Sequence, residues 1–240
     1  MIRLGINVDH VATLRNARGE SHPSPLHAAK LAMKYGANSI TIHLREDRRH
    51  INDSDLSDIK KYKKIPINLE LAATNEMVKI ALRNKPNFVC IVPENRKEIT
   101  TEGGLNIKKN KKKLSIILKK FNKINIRTSL FINANLKDVK IAKNLGTKCV
   151  EFHTGKISSK IKNNKTYSNE FKNLQKCAKY AKSIDLEVHA GHGMDYKTTK
   201  ILSKIKEIEE FNIGHFLISE SIFIGFKKTI IKFRKIMGQR

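Results

Sequence analysis

Short β-rich runs alternate with helical patterns eight times along the 240 residues, and this alternation limits the available folds more than any other feature. Strands are expected at 2–8 (IRLGINV), 39–43 (SITIH), 66–70 (PINLE), 87–92 (NFVCIV), 126–132 (IRTSLFI), 148–152 (KCVEF), 186–190 (LEVHA) and 208–213 (IEEFNI). Helices are expected near 25–35, 53–62, 75–84, 107–122, 136–145, 168–184, 196–205 and 226–237. Ser24-Pro25, Asn52, Thr74 and Asn135 stand where helix N-caps belong, and Gly36 and Gly146 where C-caps belong. Strict β-then-α order predicts a parallel sheet with right-handed crossovers. Eight such units in a chain of this length predict a closed (β/α)8 barrel, a TIM barrel, as one domain over 1–240. A doubly wound open sheet is the alternative. It usually has fewer strands, and no Gly-rich dinucleotide turn follows the first strand here.

Alternate residues of a strand face opposite ways. Gly5, Asn7 and Asp9 would share a face opposite Ile6 and Val8; Thr41 and His43 oppose Ile40 and Ile42. Asn68 and Glu70, Glu151 and His153, and Glu187 and His189 repeat the pattern. A structural core does not hold so many polar groups unpaired, since each would cost about 1–3 kcal/mol. A lone histidine is more often a satisfied core residue than a catalyst. The joint pattern at C-terminal strand ends, where barrel enzymes place their chemistry, instead predicts a catalytic pocket.

The inward set is rich in histidine and glutamate: His43, Glu70, Glu151, His153 and His189, with His192 just beyond. Imidazoles titrate near neutral pH and a buried carboxyl can be raised toward it, which suits repeated proton transfer. Phosphate-binding features surround them. Arg45, Arg48, Arg49 and His50 follow the second strand, and Asn16, Arg18 and Gly19 form the expected loop after the first. TTEGG (100–104) follows the fourth strand, while GHG (191–193) and IGH (213–215) precede helical segments whose first amides can hold an anion. Metal binding through His43, Glu151, His189 and His192 is the chemical rival, although no close His pair stands on the first strand. No Ser or Cys nucleophile elbow is present. No lysine stands on the inward face near a strand's end, which argues against a Schiff-base lysine.

A formal charge of +26 raises a nucleic-acid reading. The excess is mostly lysine in helical patterns such as KKNKKKL (108–114), with no aromatic-rich RNA motif or zinc-finger spacing. It reads as basic helix surface whose field attracts anionic substrates, with no nucleic-acid partner. No apolar run reaches the ~18 residues of a membrane span. MIRLGINVDH lacks the apolar core of a signal peptide, and Cys90, Cys149 and Cys177 have no metal-type spacing. A cytoplasmic protein with buried free thiols is expected.

Several blocks carry a family resemblance: NVDHVATLRNARG (7–19), TIHLREDRRHI (41–51), NLELA (68–72), VPE (92–94), TTEGG (100–104), EFHTG (151–155), AGHG (190–193) and NIGH (212–215). Together they closely resemble the pyridoxine 5'-phosphate synthase family, nearly end to end; the Lys-rich segments 108–125 and 156–176 carry little of it. The resemblance implies a (β/α)8 barrel with extra helices, assembled as a homo-octamer. It implies a transferase-type, ring-closing synthase that condenses 3-amino-2-oxopropyl phosphate with 1-deoxy-D-xylulose 5-phosphate. Phosphate and water leave, and neither metal nor organic cofactor takes part.

By position, the resemblance places acid/base roles on His43, Glu70 and His192, and stabilisation of charged intermediates on Glu151. It places the aminooxopropyl phosphate at Asn7, Arg18, Gly193, Gly214 and His215, with Arg18 contributed by a neighbouring subunit. The deoxyxylulose phosphate falls to Asp9, His10, Arg45, His50 and Thr100, under a lid at about 94–104. There are two departures. The residue before AGHG, commonly Asn in the family, is His189, which bears on His192. After NIGH, where the family often reads Gly-Arg, Ser219-Glu220 stands instead, removing a positive charge near the second phosphate.

Overall fold

The computed structural model describes residues 1–95 and 103–239. The chain runs β1 (Arg3–Asn7), α1 (Asp9–Arg18), α2 (Pro25–Lys34), β2 (Ser39–His43), α3 (Asp53–Lys61), β3 (Ile67–Ala72), α4 (Asn75–Asn84) and β4 (Phe88–Val92). It continues through α5 (Ile107–Lys123), β5 (Arg127–Ile132), α6 (Leu136–Asn144), β6 (Cys149–His153), α7 (Gly155–Lys162), α8 (Ser168–Ser183), β7 (Glu187–Gly191), α9 (Tyr196–Leu202), β8 (Glu210–Ile213), α10 (His215–Ile224) and α11 (Phe226–Ile236). The eight strands close in sequence order into an all-parallel barrel, β8 pairing back onto β1. This is the expected (β/α)8 fold.

The caps behave as their chemistry dictates. The side chains of Ser24, Asn52, Thr74 and Asn135 each accept an amide hydrogen from the first turn of the following helix. Asn52 and Asp55 form a reciprocal capping box. Gly36 and Gly146 take positive φ just past α2 and α6.

Two helices were not expected. α1 begins at Asp9, where strand-like alternation predicted β1 to continue, so Asp9 opens a helix instead of closing a strand face. Asn16 and Arg18 consequently lie within α1 and only Gly19 follows it, as a left-handed C-cap. α7 fills part of the Lys-rich segment. The helical segment expected after IGH is α10, which starts directly at His215.

The strand faces sort as the period of two requires. Outward residues such as Ile6, Ile40, Leu69, Val89, Leu130, Val150, Val188 and Phe211 are buried in one large core between sheet and helices. Inward, only Cys90, Val92 and Phe131 form a small separate apolar cluster. Much of the rest of the described barrel interior is polar, with hydrogen bonds and ion pairs between strands. At the N-terminal strand ends Glu187 pairs with Arg3 and Arg127, and Arg3 Nε lies 2.8 Å from Glu210. Higher up, Asn212 accepts from Thr41 and donates to Glu151 at 2.8 Å, and Thr41 accepts from Asn68.

Candidate active site

At the C-terminal mouth these strands enclose a cavity of about 450 Å³. His43, Glu70, Glu151 and His192 all line it, so groups up to 149 residues apart in sequence meet at one place. Asn7, Asp9, His10, Arg45 and His50 line the part formed by β1, α1 and the β2–α3 segment; Gly214 and His215, after β8, adjoin them, and Gly193 follows β7. Arg18, at the exposed end of α1, is not among the lining residues, and Thr100 lies outside the described residues, as does most of the expected lid. Asn212, Phe131, Lys162 and Met194 also line the cavity. Sequence reasoning missed them: Asn212 follows the same inward period as Glu210, whereas Lys162 gave no signal among its lysine neighbours.

His43 and Glu70 are register partners on adjacent strands, which brings His43 Nδ1 within 3.9 Å of a Glu70 oxygen. The amide of His43 donates to Asp9 Oδ1 at 2.9 Å, and Asn7 Nδ2 donates to Asp9 Oδ2. His50 Nδ1 accepts from the Ile51 amide at 2.9 Å. His10 and His215 meet edge to face, ring centres 4.8 Å apart. Arg48 holds its loop through Asp53 and Glu76, and Arg49 does so through Asp47.

Burial drives the electrostatics. It pushes the Glu70 carboxyl well above the carboxylate range, with the charges of Glu151 and Asp9 adding to the effect. It raises Glu151 to about 7, opposed by His189 and the Asn212 hydrogen bond. It lowers His10, helped by His215, and His50, helped by His43, His10 and Arg45. His153 stands outside the cavity lining, its ring 4.9 Å from that of His192; burial and His192 depress it to about 4.

Glu187 and His189 do not line the cavity. The expectation that they join the pocket fails because they sit lower on the inward face. His189 Nε2 lies 3.0 Å from Glu187 and Nδ1 lies 3.5 Å from Glu210, at the barrel's N-terminal end. This also separates His189 from the metal-ligand set weighed above. Asp9, His43 and His50 each offer a donor atom within 4.8 Å of the others, although Asp9 and His50 Nδ1 already accept hydrogen bonds.

Two helix starts differ at the rim. α9 is capped by the Asp195 side chain, which takes the Thr198 amide. α10 has no side-chain cap, and its Gly214, His215 and Phe216 line the cavity, leaving that N-terminus able to receive an anion.

A closed parallel barrel with imidazoles and raised carboxyls gathered at its C-terminal mouth defines a barrel protein equipped for proton transfer. Comparison with known proteins narrows this class. The family model described as "Pyridoxal phosphate biosynthesis protein PdxJ" matches residues 4–239, and the chain belongs to that family. It is 63% identical over 239 residues to a pyridoxine 5'-phosphate synthase of Pelagibacter ubique, covering 100% of both chains. It is 48% identical to the corresponding synthase of Zymomonas mobilis, over 98% of this chain and 91% of that one. Among solved structures, thiamine phosphate pyrophosphorylase from Pyrococcus furiosus superposes with a TM-score of 0.61 at 12% identity, over 99% of this chain and 96% of that one. The tryptophan synthase A-subunit from Pyrococcus furiosus gives 0.63 at 13% identity, over 99% and 97%. These two share the barrel fold.

Proposed function

We propose that the chain is a pyridoxine 5'-phosphate synthase, condensing 3-amino-2-oxopropyl phosphate with 1-deoxy-D-xylulose 5-phosphate and closing the pyridine ring with release of phosphate and water. The carrying observation is the placement of His43 and Glu70, 3.9 Å apart, in one cavity with Glu151 and His192, in a chain of this family. Amine addition to a ketone, dehydration, phosphate loss and ring closure each need a proton moved. His43 and Glu70 serve as acceptors and His192 as donor; Glu151 stabilises charged intermediates. A carboxyl raised toward neutrality, as Glu70 and Glu151 are, exchanges protons at working pH better than an ordinary one.

Asn7, Gly193, Gly214 and His215 hold the aminooxopropyl phosphate, and the open N-terminus of α10 supports an anion there. Asp9, His10, Arg45, His50 and Thr100 hold the deoxyxylulose phosphate. Arg18 reaches a neighbouring subunit's cavity in a homo-octamer. The exposed apolar side chains of Leu14 on α1 and of Ile222 and Phe223 on α10, helices that lie against each other, support self-association. The reaction uses neither metal nor organic cofactor, and the protein works in the cytoplasm without nucleic-acid or membrane partners; no helix among the described residues is long and apolar enough to cross a membrane.

Incubation of the purified protein with both phosphorylated substrates is expected to yield pyridoxine 5'-phosphate by mass, undiminished after dialysis against a chelator. Glu70→Gln and His43→Asn are each expected to lower turnover at least ~100-fold, the usual worth of a general acid or base. No product from the wild type would sink the reading; product formation lost to the chelator would overturn its metal-free part.

A further inference from the structure

His43 has a carboxylate at each ring nitrogen, and only one of them, Glu70, has a role above. The other is Glu94, two residues past β4 and 1% exposed at its side chain. Glu94 Oε1 accepts the Glu46 amide at 2.8 Å and lies 3.9 Å from Arg45 Nη2. Its Oε2 lies 3.4 Å from His43 Nε2; both atoms are buried, and among the described residues neither has a hydrogen-bond partner elsewhere. The carboxylate is fixed by one oxygen and presents the other to the imidazole. We infer that Glu94 is a positioning residue for His43, accepting the Nε2 proton so that Nδ1 is the nitrogen that exchanges protons toward Glu70 and the substrate.

The two carboxylates differ as this division of labour requires. Burial opposes ionisation of Glu94, but His43, the Glu46 amide and Arg45 outweigh it and hold the group below the usual range, so it stays an anionic acceptor. Burial pushes Glu70 the other way, toward proton exchange. A separation of 3.4 Å is long for a hydrogen bond, as such contacts often are before a ligand tightens them. The neighbours of His43 are Glu70 on β3, Glu94 after β4, His50 after β2 and Asp9 on α1, with Arg45 lying against Glu94. Among these, Glu94 alone approaches Nε2 within ion-pairing distance among the described residues.

The inference rests on the synthase reading for its kinetic consequence but not for its tautomer. Nitrogen-15 NMR of histidine-labelled wild type is expected to show neutral His43 protonated at Nε2; a proton at Nδ1 would overturn the inference whatever reaction the protein performs. Glu94→Gln, similar in shape, is expected to lower kcat roughly 100-fold while leaving both KM values within about threefold, because an amide no longer enforces the tautomer. An unchanged kcat, or a loss carried by KM instead, would overturn the role. A wild type that makes no product would defeat the proposed reaction, leaving the tautomer result standing.

Discussion

Glu151 is almost wholly buried in the middle of the barrel, accepting from Asn212 and with Cys90 Sγ 3.9 Å away. Gly191 makes room for it: a Cβ on that glycine would lie 2.3 Å from Glu151 Oε1 and 3.1 Å from a backbone oxygen. Such a carboxyl is held for chemistry at the expense of stability. With its folded value raised to about 7 and an ordinary unfolded value near 4.5, the folded state binds the extra proton between those limits. The cost is therefore absent below about pH 4.5, grows through that window and is complete above 7. Glu151→Gln is expected to melt higher than wild type at pH 8, by on the order of 2 kcal/mol relative to their difference at pH 4.5, while losing activity. Melting curves at the two pH values check this; a pH-independent difference would contradict the raised value.

At the level of elements, the Arg15–Asp55 pair joins α1 to α3. Arg15 Nη2 lies 2.9 Å from Asp55 Oδ2 and Nη1 meets the other oxygen, with both side chains largely buried. Asp55 also completes the capping box with Asn52. Asp55→Ala would strand a buried guanidinium and remove a cap, so a loss of about 3–5 kcal/mol is expected in denaturant unfolding. A loss below ~1 kcal/mol would mean that Arg15 finds water. The pair also explains what could be read from the sequence. All eight strands were legible because apolar alternation and turn residues bracket each one. α1 was not, since DHVATLRNAR has no side-chain cap and a weak apolar stripe, and its partner Asp55 lies 40 residues away. For α10 only the start was legible, from the IGH before it; HFLISESIFI is apolar all round and shows no face, which hid its extent. In the cavity the period of two gave the correct inward face for Asn7, His43, Glu70 and Glu151. It carries no information about height along the barrel axis, so it could not separate His189 from them.

Taken whole, the molecule is a basic shell around a polar axis. Its +26 charge resides mostly on lysines of the surrounding helices, while the axis is plugged at its N-terminal end by Arg3, Arg127, Glu187, Glu210 and His189. A buried ionic plug is stable only while its partners stay matched. Burial raises Glu187, but His189 and Arg127 outweigh it and hold the carboxyl far below the usual range. Its contribution is therefore present above the ordinary carboxylate range and is lost only in strong acid. Burial opposes the charge on His189, but Cys149, Glu210 and Glu187 outweigh it and raise the ring to about 10. Its contribution is complete below an ordinary imidazole value near 6.5 and drains away as pH rises toward 10. The plug thus stabilises most between about pH 5 and 6.5. The stability difference between wild type and His189→Asn is expected to shrink from pH 6.5 to 10, by up to about 1.4 kcal/mol per pH unit, the slope of one linked proton. Thermal unfolding of both proteins across that range measures it. Parallel curves would mean that His189 is neutral and that the plug is held by the arginines alone.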